Sequence, residues 1–221
     1  MPTSPLIQLQ HLVKRFGDKV AVDEVSLEVC AGEIFGFLGP NGAGKTTTIQ
    51  MLVGLLQPTS GAVRVAGYDV QAQPLGAKAA CGYVPDEPNL YAKLTARELL
   101  RRVGDLYGVE RAQAERRSEE LLRLFDLAAA ADDTFDSYSH GMKQKTALAA
   151  ALVHDPRVLV LDEPTAGLDQ VGPADQGHPA PDGRPRRGGV PLDPHPRNRR
   201  AHVRPHRHHR PWPVDRRGHH G

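Results

Sequence analysis

The sequence predicts an α/β fold with a mainly parallel sheet, and three observations point to it. Short apolar runs typical of buried parallel strands occur at Ile34–Leu38 and Val158–Leu161. Segments with helical spacing of apolar residues lie between these runs, and turns rich in glycine or proline separate the elements. Strands that alternate with helices along a chain are typical of proteins in which helices cover a parallel sheet.

Each predicted element has its own local signal. Alternating apolar residues predict half-buried strands at 6–13 and 25–29 around a turn at Gly17-Asp18, and a further strand at 63–65. Helical spacing predicts helices at 45–56, 95–107, 119–127 and 143–153. The first helix is expected to end before a turn at 58–61, which reads Pro-Thr-Ser-Gly.

The helices between Thr95 and Val153 follow one another without a strand, which predicts a helical insert, placed at residues 87–153. Thr95-Ala96-Arg97-Glu98 is a capping-box sequence that opens the first of these helices. Its predicted apolar stripe consists of Leu99, Leu100, Val103 and Leu106.

The composition divides the chain into a body, residues 1–169, and a tail, residues 170–221. The tail holds eleven Arg and four Asp without Lys or Glu, a formal charge of +7, whereas the body carries −5. Ten of the 19 prolines and eight of the 11 histidines also lie in the tail, which has one Leu and no Ile, Met, Phe or Tyr. Such a segment buries too little apolar surface to offset the entropy of ordering it, so we expect a disordered tail.

Several classes of protein are excluded at this stage. No run of about 18 apolar residues occurs, so we expect no membrane-spanning segment. Residues 1–10 lack the basic and apolar stretches of a signal peptide. Cys30 and Cys81 are too few for a disulfide scaffold or a zinc cluster, and we predict that both are reduced thiols.

A glycine-rich loop between a predicted strand and a predicted helix is the most specific motif. Residues 39–46 fit the pattern G-x-x-x-x-G-K-[ST], whose backbone N–H groups wrap a polyphosphate and whose helix N-terminus adds partial positive charge. Lysine then supplies a charge for the outer phosphates, and the threonine hydroxyl is placed to bind Mg²⁺. The predicted phosphate-binding residues are Gly39, Pro40, Asn41, Gly42, Ala43, Gly44, Lys45, Thr46 and Thr47.

Two adjacent carboxylates follow the second buried strand. Asp162 and Glu163 are costly to bury at a strand end unless they serve an ion or a partner. We expect Asp162 to hold Mg²⁺, directly or through water, and Glu163 to orient or deprotonate an attacking water molecule.

Taken together, these motifs resemble the ATP-binding subunit of ABC transporters over roughly residues 6–169, most closely the branch that exports drugs, lipids or ions. The phosphate loop resembles the family's Walker A motif, Val158 to Glu163 its Walker B motif with the catalytic glutamate, and residues 164–169 its D-loop region. Phe16 matches the aromatic position that stacks on adenine, with a core phenylalanine as the alternative. The position of the family's LSGGQ signature holds Ser139, His140, Gly141 and Met142.

The resemblance implies a P-loop NTPase core of the RecA type, with an antiparallel β subdomain and the helical insert. It also implies hydrolysis of ATP with Mg²⁺ and a homodimer in which two copies pair head to tail, with each ATP held against the signature of the opposite copy. The partner would be a separate transmembrane permease, without specific nucleic-acid binding, and the location would be cytoplasmic, on the inner face of the cell membrane.

Two motifs depart from the family pattern. His140 and Met142 replace a glycine and the glutamine of the signature, while Ser139 and Gly141 remain able to contact a phosphate or, as the alternative, to start a helix. Asp86 stands where the family has a glutamine that senses the nucleotide. A carboxylate there could also bind Mg²⁺; whether Asp86 or Glu87 does so stays open, with a plain surface loop as the alternative.

The tail departs from the family altogether, because the expected strand and switch histidine are replaced by prolines and arginines that cannot form a central strand. His195 lies near the expected position without that strand and is not assigned the role. Reading Val190 to Ala201 one nucleotide downstream permits the sequence F-L-S-T-H-I-L-E-I-A-E, which is typical of the missing region. We therefore hypothesise a frameshift near residues 169–172. The alternative is a genuine basic, histidine-rich tail that binds anionic lipid or nucleic acid nonspecifically, or a metal ion.

Without the switch histidine, we expect the chain to keep ATP binding while hydrolysis is weak or absent. The alternatives to an exporter subunit are a non-catalytic truncated subunit that only binds nucleotide, a soluble ABC ATPase not linked to transport, and a small-molecule kinase. A kinase would leave the signature and the D-loop region unexplained.

Overall fold

The computed structural model describes residues 4–162 and the backbone of residues 198–202. The strands are β1 Ile7–Phe16, β2 Lys19–Val29, β3 Ile34–Leu38, β4 Ser60–Val65, β5 Tyr68–Asp69, β6 Cys81–Val84, β7 Val158–Leu161 and β8 Asn198–His202. The helices are α1 Lys45–Leu52, α2 Pro74–Ala79, α3 Ala96–Leu106, α4 Arg111–Leu124 and α5 His140–Leu152, with 3-10 turns at Ala128–Ala130 and Phe135–Ser137.

The predicted antiparallel β subdomain is a sheet with the strand order β2-β1-β4-β5. Strands β1 and β2 form a hairpin in which Phe16 pairs with Lys19 around Gly17, whose φ is 57°. Both strands are longer than predicted, because their polar outer residues extend the pairing beyond the alternating apolar positions.

The predicted turn at 58–61 is wrong for its last two residues, since β4 begins at Ser60. Gly61 has φ 88°, and a Cβ atom there would lie 2.4 Å from the carbonyl oxygen of His11. The glycine therefore permits a close approach of two strand backbones, a role that a sequence pattern does not distinguish from a turn.

Two parallel strand pairs form the α/β part: β3 with β8, and β6 with β7. Strands β3 and β7 have the bounds predicted from the sequence, whereas β5, α2 and β6 were not predicted. Strand β6 has only four residues and contains Gly82, where a Cβ atom would lie 2.4 Å from the carbonyl oxygen of Ala151. This glycine lets the end of α5 pack directly on the strand.

Two predicted helix bounds are wrong for local reasons. Helix α1 ends at Leu52 rather than residue 56, because Gly54 adopts a left-handed φ of 71°. Helix α4 begins at Arg111 rather than residue 119, because the Glu110 carboxylate accepts hydrogen bonds from the N–H groups of Ala112 and Gln113. The core-facing positions of its first turns are small residues, which give no apolar periodicity.

The first hydrophobic core lies between the antiparallel sheet, α1 and the parallel strands β6 and β7, with Leu12, Met51 and Val65 fully buried. Cys81 belongs to this core, and burial raises the pKa of its thiol to about 11. Cys81 and Cys30 are both reduced thiols, as predicted.

A second core lies among α3, α4 and α5, around Leu100, Leu122 and Phe135. The predicted capping box at Thr95 and Glu98 is confirmed, with both reciprocal hydrogen bonds present. Leu106 is 80% exposed, however, so the predicted apolar stripe ends before it. These helices form the predicted insert, whereas the domain bounds 1–169, 87–153 and 170–221 remain predictions.

The expectation that the tail forms no central strand is wrong for its residues 198–202. The backbone of Asn198–His202 pairs in parallel with β3, from Ile34 opposite Asn198 to Leu38 opposite His202. These five residues follow the last proline of the preceding run, so every N–H group needed for pairing is present. The rest of the tail, with His195 and the proposed frameshift position, lies outside the described residues.

Candidate functional site

The glycine-rich loop leads from β3 into α1, and its geometry depends on Gly44. This residue is the N-cap of α1 with φ 86°, and a Cβ atom there would lie 2.4 Å from the carbonyl oxygen of Ala21 on β2. Among the described residues, no side chain caps this end of the helix. The first N–H groups of α1 are therefore available to an anion.

Side chains at the start of α1 hold the loop in shape. The Lys45 Nζ atom donates hydrogen bonds to the carbonyl oxygens of Gly39 (2.8 Å) and Pro40 (3.1 Å), and the Ala43 N–H donates to Pro40 (3.2 Å). The Thr48 hydroxyl donates to the Gly44 carbonyl oxygen at 2.8 Å. The lysine ammonium thus lies folded against the loop that would surround a phosphate.

Asp86, in the loop after β6, and Asp162, directly after β7, come together because the two strands are parallel. Val84 pairs with Leu161, so the residues that follow both strands meet at the same edge of the sheet. Asp162 is only 7% exposed, and its N–H donates to the Val84 carbonyl oxygen at 3.0 Å. Burial, and then the negative charge of Asp162, raise the pKa of Tyr83 above its ordinary value.

One cavity of about 510 Å³ joins the glycine-rich loop to these carboxylates. Its lining contains most of the residues predicted from the sequence: Phe16, Asn41, Gly42, Gly44, Lys45, Thr46, Thr47, Asp86 and Asp162. Gly39, Pro40 and Ala43 do not line it but form the loop behind Lys45. The loop and Asp162 therefore share one concave site, which the predicted phosphate and metal sites require.

Two cavity residues, Lys19 and Ala21, were not predicted. Both belong to β2, and the hairpin register places Lys19 opposite Phe16. The predicted turn at Gly17-Asp18 was the available signal for Lys19, since a tight turn brings its flanking residues together.

Phe16 is 51% exposed and lines the cavity, so the alternative of a core phenylalanine is wrong. The Lys14 Nζ atom lies 5.0 Å from the centroid of its ring and donates a hydrogen bond to the Gln57 carbonyl oxygen at 2.8 Å. One region of the aromatic surface thus contacts a cation, while the ring also faces the cavity.

Asp86 and Glu87, the two candidate metal ligands in the loop after β6, differ in their positions relative to the cavity. Asp86 is half-buried and lines the cavity, whereas Glu87 is exposed and does not line it. The main-chain carbonyl oxygen of Asp86 accepts a hydrogen bond from the Gln144 Nε2 atom of α5 at 2.9 Å. The structure therefore favours Asp86 over Glu87 as a residue of this site.

Ser139, His140, Gly141 and Met142 lie at the start of α5 and do not line the cavity. The Ser139 hydroxyl accepts a hydrogen bond from the Met142 N–H at 3.3 Å, so it does cap the helix. A contact of these residues with a nucleotide in a second copy stays a prediction. Glu163 and residues 164–169 lie outside the described residues, and their predicted roles stay predictions too.

The family model described as ABC transporter matches residues 22–166 of the chain. The chain belongs to the ABC transporter family. This membership confirms the predicted resemblance, and the predicted P-loop NTPase fold is confirmed as well. The "Structure of ATP binding subunit of ABC transporter" superimposes on this ABC family chain with a TM-score of 0.70 and 35% identity, covering 75% of the chain and 69% of that structure.

Among its relatives, this ABC family chain is 42% identical over 164 residues to the linearmycin resistance ATP-binding protein LnrL of Bacillus subtilis (strain 168). It is 45% identical over 169 residues to the Nod factor export ATP-binding protein I of Burkholderia lata. These alignments cover 74% and 76% of the chain, and 53% and 55% of the two relatives. The chain thus spans about half the length of these curated relatives.

The donor atoms in the cavity suit Mg²⁺. Thr46, Asp86 and Asp162 offer a hydroxyl and two carboxylates, the oxygen ligands that this ion prefers. Within residues 4–162, no group of three or more His, Cys, Asp or Glu side chains is arranged to hold a metal ion. Proteins commonly bind Mg²⁺ through one or two carboxylates together with the substrate's phosphates. None of the described helices is both long and apolar enough to cross a membrane.

Proposed function

We propose that this chain is the ATP-binding and ATP-hydrolysing subunit of a membrane exporter. The observation that supports it most directly is the single cavity that contains both the start of α1 and Asp162. The names of the relatives, one of a resistance system and one of an export system, support the direction of transport. The proposed cofactor is Mg²⁺ and the substrate is ATP.

In this proposal, the loop at residues 39–46 binds the phosphates through its N–H groups, and Lys45 exchanges its carbonyl partners for phosphate oxygens. Phe16, which also lines the cavity, stacks on the adenine ring. Thr46, Asp162 and Asp86 would hold Mg²⁺, which when bound neutralises charge that develops on the phosphates.

For hydrolysis, Glu163 orients a water molecule and takes its proton while the water oxygen bonds to the γ-phosphorus. The bond from that phosphorus to the bridging oxygen breaks, and ADP leaves. The missing switch-histidine region makes this step weak in the chain as written. The stable product of binding would then be the ATP complex.

Two copies would pair head to tail, so that Ser139 and Gly141 of one copy complete the phosphate site of the other. The exposed position of Ser139 and His140, away from their own cavity, supports this arrangement. A separate transmembrane permease would receive the resulting motion, which places the chain in the cytoplasm on the inner face of the membrane, with no specific nucleic-acid partner.

The second candidate is a non-catalytic subunit that binds nucleotide without hydrolysing it. The arginine- and proline-rich tail favours it, because the family's switch region is absent from the sequence as written. ATP hydrolysis measured for this chain beside a frame-restored version separates the two. A soluble ABC ATPase not linked to transport is the remaining alternative, and co-purification with a permease would exclude it.

The test of nucleotide binding is Lys45→Ala. Loss of the ammonium removes the charge that faces the phosphates, so we expect at least a 10-fold loss of ATP affinity. Isothermal titration of the full chain with Mg·ATP measures it. The matched control is Lys93→Ala, because Lys93 is an exposed lysine whose partner, Asp136, belongs to the helical region. Equal ATP affinity in wild type and Lys45→Ala would contradict the assignment.

A further inference from the structure

One face of α5 packs against the ends of the parallel strands. Ala147, Leu148 and Ala151 of this helix form a small core with Val84 of β6 and Leu161 of β7. Gln144 precedes Ala147 and Leu148 by three and four residues, so it lies on the same face one turn earlier. That turn lies beside the loop which follows β6, because the Gln144 amide bonds to Asp86 there.

Gln144 is an unusual residue for this position. It is 5% exposed, and its Nε2 atom donates one hydrogen bond, to the Asp86 carbonyl oxygen at 2.9 Å. Its Oε1 atom is buried and has no hydrogen-bond partner among the described residues. Burial of a half-satisfied amide costs free energy that an apolar side chain of similar size would not incur. The bond to Asp86 therefore calls for a role other than stability.

The position of Asp86 gives such a role. Asp86 lines the cavity with Thr46 and Asp162, while its carbonyl oxygen accepts a hydrogen bond from Gln144 of α5, a residue that does not line the cavity. A hydrogen bond on the carbonyl fixes the orientation of that peptide plane, and the peptide plane limits where the adjacent Cα–Cβ bond points. The helix thereby controls the placement of a candidate metal ligand without entering the cavity.

We propose that Gln144 is a positioning residue that sets the place of the Asp86 carboxylate relative to the metal ion of a bound nucleotide. The inference rests on the proposed function, since it requires that nucleotide and Mg²⁺ occupy the cavity. Ser139 caps the same helix five residues earlier, about 7.5 Å along its axis. One buried hydrogen bond thus connects the metal-facing loop to the turn proposed to meet a second copy.

The experiment uses Gln144→Leu in the full chain and measures ATP affinity twice, with excess Mg²⁺ and with EDTA. The dissociation constant in EDTA divided by the one in Mg²⁺, here called the metal ratio, reports how much the metal strengthens ATP binding. We expect Gln144→Leu to lower this ratio by about 3- to 10-fold, the range for one lost hydrogen bond, and to leave affinity in EDTA unchanged. Gln144→Met, which keeps the length of the side chain, serves as a second variant if leucine impairs folding.

Two further variants separate positioning from a structural role. Thr146→Val is the matched control, because Thr146 is fully buried in α5 and its hydroxyl bonds within the helix, to the Met142 carbonyl oxygen at 2.8 Å. It should lower the melting temperature without changing the metal ratio. In an Asp86→Ala background, Gln144→Leu should cause no further loss in that ratio, since the carboxylate it positions is gone.

The outcomes distinguish this inference from the proposed function. If Asp86→Ala lowers the metal ratio but both Gln144 variants keep the wild-type ratio, the positioning role is overturned and the nucleotide site stands. A further drop caused by Gln144→Leu in the Asp86→Ala background also overturns it. If wild-type chain binds no ATP under either condition, the proposed function fails, and the inference fails with it.

Discussion

The phosphate loop region, around residues 39–46, is shaped by main-chain contacts, whereas the helical region, formed by α3, α4 and α5, is shaped by side-chain packing. Around Gly44, the shape comes from main-chain contacts: a left-handed φ and a strand carbonyl that leaves no room for a Cβ atom. Among α3, α4 and α5, it comes from side-chain packing around residues such as Leu100 and Phe135. The difference indicates that substitutions among the three helices will lower stability alone, whereas substitutions in the phosphate loop will lower ATP affinity as well.

The largest effect on stability is expected in the helical region. Phe135 is 1% exposed and packs edge-on against Tyr138, with ring centroids 5.1 Å apart. Phe135→Ala should lower the free energy of unfolding by about 3–5 kcal/mol while ATP affinity stays unchanged under conditions where the variant remains folded. Urea unfolding and isothermal titration measure the two quantities.

Leu106→Ala is the matched control, because this leucine of α3 is 80% exposed. Its effect should stay within about 0.5 kcal/mol. Loss of ATP affinity in folded Phe135→Ala protein would break the comparison, since it would show that the cavity depends on helical packing.

In the phosphate loop region, Gly44→Ala should lower stability by about 2–4 kcal/mol and abolish ATP binding. The added Cβ atom would meet the Ala21 carbonyl oxygen at 2.4 Å in a backbone conformation that already disfavours alanine. Gly42→Ala is the control: Gly42 has a similar φ of 80°, but no atom lies within 4 Å of the added Cβ.

For Gly42→Ala we expect only the conformational strain, about 1–2 kcal/mol, because the new methyl group meets no protein atom. Equal unfolding free energies for the two variants would contradict the main-chain contact as the cause. Both are measured by urea unfolding of the full chain.

The smallest expected effect is a pH dependence where the helical region meets β6. The His154 ring stacks on Tyr107 with centroids 3.8 Å apart, and its Nε2 atom lies 3.3 Å from the Cys81 carbonyl oxygen. Burial lowers the pKa of His154, with the Arg117 charge acting in the same direction and the Cys81 hydrogen bond and Asp155 opposing them.

Because the folded chain binds this proton less readily than the unfolded chain, stability is full above the ordinary pKa of about 6.5 and falls as the pH drops below it. Urea midpoints measured between about pH 5 and 7.5 should decline toward acid, and His154→Gln should flatten that decline. An identical slope in the variant would assign the pH dependence to other groups.

The sequence was most informative where function constrains the backbone. The strand Ile34–Leu38, the loop after it and the capping box at Thr95 were predicted as observed, because each depends on neighbours in sequence. Lys19 and Gln144 were missed because their partners depend on tertiary structure: Gln144 bonds to a carbonyl 58 residues away. Every residue type has a main-chain carbonyl oxygen, so the sequence does not indicate which one accepts this hydrogen bond.

The contact between Gly44 and Ala21 also sets the distance between the β1–β2 hairpin and the first turn of α1. Ala21 belongs to the hairpin that carries Phe16 and Lys19, so the hairpin and the first turn of α1 meet backbone against backbone. The main-chain positions of Phe16 and Lys45 are therefore held at a fixed separation by a contact between main-chain atoms. Side chains on the hairpin can therefore change during evolution without altering the separation between the hairpin and the first turn of α1.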